Sequence, residues 1–121
     1  MRLHTYKDLI VWQKSIELVI EIYKLTKKLP GEEIYGLTSQ MRRAAVSLPS
    51  NVAEGKLRGS DKECRQFFLT AFSSGGELET QVEIAKRLES TSRLDYSEVD
   101  RLLSEVMPML NKLINNLTPN A

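Results

Sequence analysis

The chain has 121 residues, a formal net charge of +1, and 41% hydrophobic against 27% charged side chains. That is one domain with enough apolar residues for a packed core; wholesale disorder, a strongly basic nucleic-acid tail and a polyacidic chain are excluded. Cys64 is the only cysteine and His4 the only histidine, which excludes an internal disulfide, Cys/His zinc clusters and most catalytic triads. No apolar run approaches the roughly 20 residues of a membrane span, and the N-terminus lacks the apolar segment of a secretory signal. A cytoplasmic, reducing location with no membrane partner is therefore expected.

Four segments carry a helical hydrophobic period. The first is predicted over about 6–29, with Thr5 as N-cap and Asp8 three residues on. Leu9, Trp12, Ile16, Val19 and Tyr23 form one row, and Leu18, Ile22, Leu25 and Leu29 a second beside it. Two rows make a wide apolar face that suits more than one neighbour. Pro30-Gly31 ends this helix. The second is predicted over about 33–54, with Leu37, Met41, Ala44, Leu48 and Val52 buried, a kink at Pro49 and Gly55 as terminator. The third is predicted over 61–89, opened by a capping box of Ser60 and Glu63. Cys64, Phe68, Ala71, Gly75, Leu78, Val82 and Ala85 supply its buried row. Gly75-Gly76 costs about 1 kcal/mol per glycine relative to alanine, which the close approach of a neighbouring helix would offset. The fourth is predicted over 96–117, opened by a second capping box of Asp95 and Glu98 and bent near Pro108. Its row is Val99, Leu103, Val106, Leu110, Leu113 and Leu117, and the tail from Thr118 reads as frayed.

No segment alternates as a strand does. The connections read as short, at most about six residues, which favours antiparallel neighbours. The expected fold is all-α: an antiparallel up-down-up-down four-helix bundle forming a single domain over 1–121. Di-iron bundle sites need Glu-x-x-His pairs, and His4 precedes the first helix. Cys64 falls on an apolar row and reads as a buried, inert thiol. The basic, glycine-containing stretch from Gly55 to Ser60 lacks the Gly-Lys-Ser/Thr ending of a P-loop. No catalytic residue, metal or cofactor is expected, and the chain reads as non-enzymatic.

Gln40, Arg43, Ser47, Asn51 and Glu54 lie along one face of the second helix, beside its apolar row. Gln13 and Glu17 on the first helix, and Glu77 and Gln81 on the third, offer matching groups. These nine residues are expected to form a structural polar network. A buried Arg43 needs a carboxylate, because an unpaired buried charge costs several kcal/mol; Glu17 or Glu77 is the expected partner. The alternative is a solvated face with no network.

The same residues carry a family resemblance. The opening Tyr6-Lys7-Asp8-Leu9-Ile10-Val11-Trp12-Gln13-Lys14, the block from Tyr35 to Gly55 around Arg42-Arg43-Ala44-Ala45-Val46-Ser47-Leu48-Pro49, and Glu77-Leu78-Glu79-Thr80-Gln81 resemble the 23S rRNA intervening sequence proteins, also called S23 ribosomal proteins. Gly75-Gly76 departs mildly from the glycine-serine pair common there. The resemblance implies a bacterial four-helix bundle assembled as a ring-like homopentamer, with no known catalytic residues. It also implies kinship with the basic, nucleic-acid-binding accessory proteins of diversity-generating retroelements.

The net charge hides polarity along the chain. Residues 1–28 carry six basic and three acidic side chains, residues 42–65 again six and three, and residues 66–105 four and eight. Arg42, Lys56, Arg58, Lys62 and Arg65 are the candidate contacts to RNA or DNA, flanking a helix N-terminus whose free amides favour anions. Asp61 and Glu63 oppose them at the same end. Repetition in a homo-oligomer would multiply a weak patch. The other readings are a partner-docking or assembly module without nucleic acid, and an accessory subunit of a retroelement reverse transcriptase. The apolar surplus of the first helix, with Tyr35, Leu57 and Phe67, suits a subunit interface.

Overall fold

The computed structural model describes residues 5–33 and 36–117; the expectations placed on His4, Tyr35 and the tail from Thr118 lie outside them. Among the described residues there are four α-helices and no strand: α1 (Ile10–Thr26), α2 (Leu37–Lys56), α3 (Asp61–Arg87) and α4 (Ser97–Asn116). Each packs against its neighbours in chain order, and α4 returns to α1. Facing residues fix the directions. Ser47 meets Ser74 and Gly55 abuts Phe68, so α2 and α3 are antiparallel. Lys86 meets Asp100 where Gly75 lies against Met107, and Lys14 reaches Glu105 where Leu25 lies beside Val99, so α4 runs antiparallel to both its neighbours. The fold is an all-α four-helix bundle.

Local chemistry moves several helix ends from their expected places. The Thr5–Asp8 capping box forms, but it caps a 3-10 turn, Tyr6–Asp8; Leu9 is then extended and α1 starts at Ile10. Helix α1 stops at Thr26, before the expected Leu29. The Thr26 hydroxyl donates back to the carbonyl of Ile22 at 2.7 Å, a local bond that competes with helix continuation, and Pro30 disfavours helical geometry at the residue before it. Helix α2 begins at Leu37, whose N–H donates to the Glu33 carboxylate at 3.2 Å. The stretches between helices at 27–36 and 88–96 are consequently longer than the sequence pattern indicated. At α4, Asp95 makes no capping box with Glu98. Its carboxylate accepts from the Ser97 hydroxyl at 2.6 Å and the Ser97 N–H at 2.9 Å, which holds its pKa below the usual carboxylate value. Ser60 does cap α3, accepting the Glu63 N–H at 3.2 Å. The helices run on through Pro49 and Pro108.

The core is one apolar cluster drawn from all four helices, with Leu18, Met41, Leu48, Val52, Leu78, Val106 and Leu110 fully buried. Gly55 does not end α2. It lies inside the helix, where a Cβ would stand 2.9 Å from the Phe68 ring and 3.0 Å from the Cys64 carbonyl oxygen. The glycine is there to let α3 come close. Gly75 has the same role toward α4, since a Cβ would collide with the Met107 sulfur. Gly76 differs, for among the described residues nothing outside its own stretch of helix backbone lies within 4 Å of its Cβ position. Buried Tyr96 completes the α3–α4 connection by donating to the Thr91 carbonyl at 2.7 Å.

Gly55→Ala is expected to lower stability by about 1–3 kcal/mol despite alanine's better helix propensity, because the obstructing atoms are an aromatic ring and a backbone oxygen; chemical denaturation measures it. Acid sensitivity has a local source at the α1–α4 seam. The Lys14 ammonium donates to Glu105 at 2.8 Å and holds its carboxyl below the usual value, with Arg101 adding to the effect. Arg101 does the same to Glu98. A folded pKa below the unfolded one stabilises above the ordinary carboxylate range, and that stabilisation is lost as pH falls through the folded value. The Tm of the wild type is expected to fall between about pH 5 and pH 3, and less steeply in Glu105→Gln.

Candidate functional site

Three surfaces bear on function: the polar seam of α2 and α3, the turn joining them, and the outer groove of α1 and α2. At the seam, the Ser47 and Ser74 hydroxyls share a hydrogen bond of 2.8 Å, and the Asn51 amide donates to the Ser47 carbonyl at 2.8 Å and its hydroxyl at 3.0 Å. These three half-buried side chains tie α2 to α3. The rest of the nine-residue stripe does not join them. Arg43 is exposed and has no ion pair among the described residues; Glu17 and Glu77 are exposed as well. Eight residues of helix rotate by about 80°, so Arg43 stands well away from Asn51 around α2 and faces outward. Glu17 borders α4 rather than α2. Gln13 donates to the Lys7 carbonyl, Glu54 pairs with Arg58 at 3.0 Å, and Gln40 is exposed. Gln81 is buried with its side-chain oxygen unpartnered. Ser74, which the sequence reading left out, is the α3 half of the seam; its only signal is the Ser73-Ser74 pair on the flank facing α2.

The five candidate nucleic-acid contacts fall into two places. Arg42 donates from Nε to the Thr26 hydroxyl at 2.8 Å, and its guanidinium lies 4.5 Å over the Tyr23 ring. It clamps α2 to the end of α1, about 21 Å of helix away from Lys56. Lys56, Arg58, Lys62 and Arg65 do share the α2–α3 turn. There Arg58 is committed to Glu54 and to the Phe67 ring, 4.6 Å away. Arg65 is half-buried, with its Nε buried and unpartnered. Lys56 and Lys62 are exposed without a partner among the described residues, and Asp61 and Glu63 stand exposed beside them. Cys64 is buried beneath this turn, and burial pushes its thiol pKa up although Lys56 opposes the shift. A thiol held protonated is a poor nucleophile.

The third surface is apolar. Trp12, Ile16 and Val19 of α1 and Val46, Pro49 and Ala53 of α2 line an open groove of about 270 Å³. Exposed Tyr23 stands on the α2 side of α1 beneath Arg42, whereas Ile20, 51% exposed, lies in a separate groove with Ile16 and the α4 residues Glu98, Arg101 and Leu102. Of the other surplus residues read from the sequence, Leu57 is 69% exposed, whereas Phe67 is half-covered beneath Arg58. No described helix is long and apolar enough to cross a membrane.

These features define a compactly seamed helical bundle with a basic turn and a greasy flank. The model of the 23S rRNA-intervening sequence protein family matches residues 7–112, and the protein belongs to that family. A crystal structure at 1.70 Å resolution of a protein with unknown function, from the S23 ribosomal protein family of Bacteroides thetaiotaomicron VPI-5482, shares the fold. It superposes with a TM-score of 0.79 at 24% identity, over 88% of this chain and 100% of that one. No curated protein matches the chain significantly.

The seam and the stripe separate cleanly by mutation. Arg43→Ala is expected to change the stability of the chain by no more than about 0.5 kcal/mol. Ser47→Ala and Ser74→Ala are each expected to cost about 1 kcal/mol, and a double-mutant cycle should return a coupling energy of at least about 0.5 kcal/mol.

Proposed function

We propose that the protein is a non-enzymatic, cytoplasmic subunit that assembles with copies of itself into a ring, five in number as its family resemblance implies, and presents the repeated α2–α3 turn to RNA or DNA. The observation that carries this reading is the apolar flank of α1 and α2: Ile16, Ile20, Tyr23 and Val46 are each at least 36% exposed, Ile16 and Val46 line the groove between α1 and α2, and Ile16 with Ile20 borders the groove toward α4. A contiguous apolar patch of this kind marks an interaction surface. Lys56 and Lys62 supply phosphate-binding charge that meets no partner among the described residues. One such pair binds weakly, and several held in one assembly bind together. The affinity comes from phosphate neutralisation and falls steeply with salt.

A second reading has its own support. Glu54 neutralises Arg58, and Asp61 and Glu63 border the same turn. That balance favours an assembly or protein-docking module that does not engage nucleic acid. An accessory role beside a retroelement reverse transcriptase would call for a more basic surface than a chain of net charge +1 provides.

Light scattering coupled to size exclusion is expected to give about five times the 13.8 kDa chain mass; a monomeric mass at micromolar concentration rejects assembly. Lys56→Glu with Lys62→Glu is expected to weaken RNA retention in a gel shift by at least about tenfold while leaving the mass unchanged. Equal retention removes the turn as the binding surface. No retention by the wild type leaves the docking module.

A further inference from the structure

Resting on the nucleic-acid reading of the α2–α3 turn, we infer that the turn takes single strands rather than duplexes: one nucleobase stacks on the guanidinium of Arg58, which Phe67 backs, while Lys56 and Lys62 hold the adjoining phosphates.

Arg58 is spent as a charge and kept as a surface. Its ion pair with Glu54, 3.0 Å long, offsets its attraction for phosphate. The same pair and the Phe67 ring, whose centroid lies 4.6 Å from the guanidinium carbon, hold the group in place before any ligand arrives. The backbone beneath is held as well. The Leu57 N–H donates to the Ala53 carbonyl at 3.1 Å, and the Arg58 N–H to that of Gly55 at 3.2 Å. Yet 40% of the Arg58 side chain remains exposed. A planar cation backed by an arene offers a base the same kind of stacking face that an aromatic ring does, and that contact does not need a net charge.

Two neighbours of Arg58 suit such a ligand. Gly59 has no positive φ, and among the described residues nothing beyond its immediate chain neighbours lies within 4 Å of its Cβ position. Neither packing nor backbone geometry inside the chain asks for a glycine there, whereas a ligand that must come close to the backbone does. Leu57, on the other side of Arg58 in the chain, is 69% exposed and adds apolar surface. The carboxylates then choose between ligands. Asp61 and Glu63 stand exposed beside Lys56 and Lys62, so phosphate contacts alone gain little. A duplex keeps its base faces stacked inside and offers this turn mainly phosphates. A single strand offers the same phosphates and open base faces, and one stacked base is worth about fivefold or more in affinity.

The test compares three fluorescently labelled probes of equal length by anisotropy: a single-stranded adenine homopolymer, an abasic strand with the same phosphates, and the homopolymer paired with its complement. The wild type is expected to bind the base-bearing single strand at least about fivefold more tightly than either of the others. Arg58→Lys keeps the charge and removes the plane. It is expected to erase that preference while affinity for the abasic strand, and helicity by circular dichroism, stay as they were. Lys56→Glu with Lys62→Glu is expected to weaken binding of all three probes. If the wild type binds the abasic strand or the duplex as tightly as the base-bearing strand, or if Arg58→Lys keeps the preference, no base stacks on Arg58 and the phosphate reading stands alone. If the wild type binds none of the three, the nucleic-acid reading itself is wrong and the stacking site falls with it.

Discussion

The bundle depends on how closely α2 and α3 approach. Gly55 presents bare backbone to the Phe68 ring and the Cys64 carbonyl, and a single methyl group there would force the helices apart. Twelve ångströms back along α2, about eight residues toward its N-terminus, Ser47 and Ser74 meet in a hydrogen bond that Asn51 reinforces. The glycine sets the spacing and the hydroxyls set the register. The resulting platform turns Leu48 and Val52 of α2 and Leu78 and Val82 of α3 toward α1 and α4. Gly75 then admits Met107, which brings α4 onto the same core.

The cost of that economy appears on α1. Its inner row, with Leu18, Ile22 and Leu25, saturates the space left by the platform. The row beside it has nowhere to go: Trp12 and Val19 are only partly covered, and Ile16 and Ile20 face outward. A four-helix bundle of this size has a small core relative to its surface, so apolar residues in excess of one core collect on a flank. Burying them against a second copy gains hydrophobic free energy without enlarging the chain.

Helix number, order and buried rows were legible in the sequence because periodicity is averaged over many residues. The Ser60 cap was legible because hydroxyl and acid stand at fixed spacing. Features that depend on one partner across space were not. Gly55 reads as a helix stop until the Phe68 ring is seen above it. Arg43 shares a stripe with Ser47 and Asn51, yet a modest rotation around α2 separates a seam residue from a solvated one. Arg42 looked like a free cation, and Thr26 and Tyr23 claim it. Asp95 had the spacing of a cap and instead bonds to Ser97, two residues on. Family resemblance reached the fold directly, but the choice between a solvated and a paired charge rests on individual distances.

The central claim is that the outward apolar face of α1 is covered by another copy in the native protein, even though a lone chain exposes it. Hydroxyl-radical footprinting of the native protein reads this side chain by side chain, with Leu57, 69% exposed at the C-terminal end of α2, as the internal reference. The account predicts that Ile16 and Ile20 oxidise as slowly as buried Leu18 while Leu57 reacts quickly. Oxidation of Ile16 and Ile20 at rates comparable to Leu57 would contradict it.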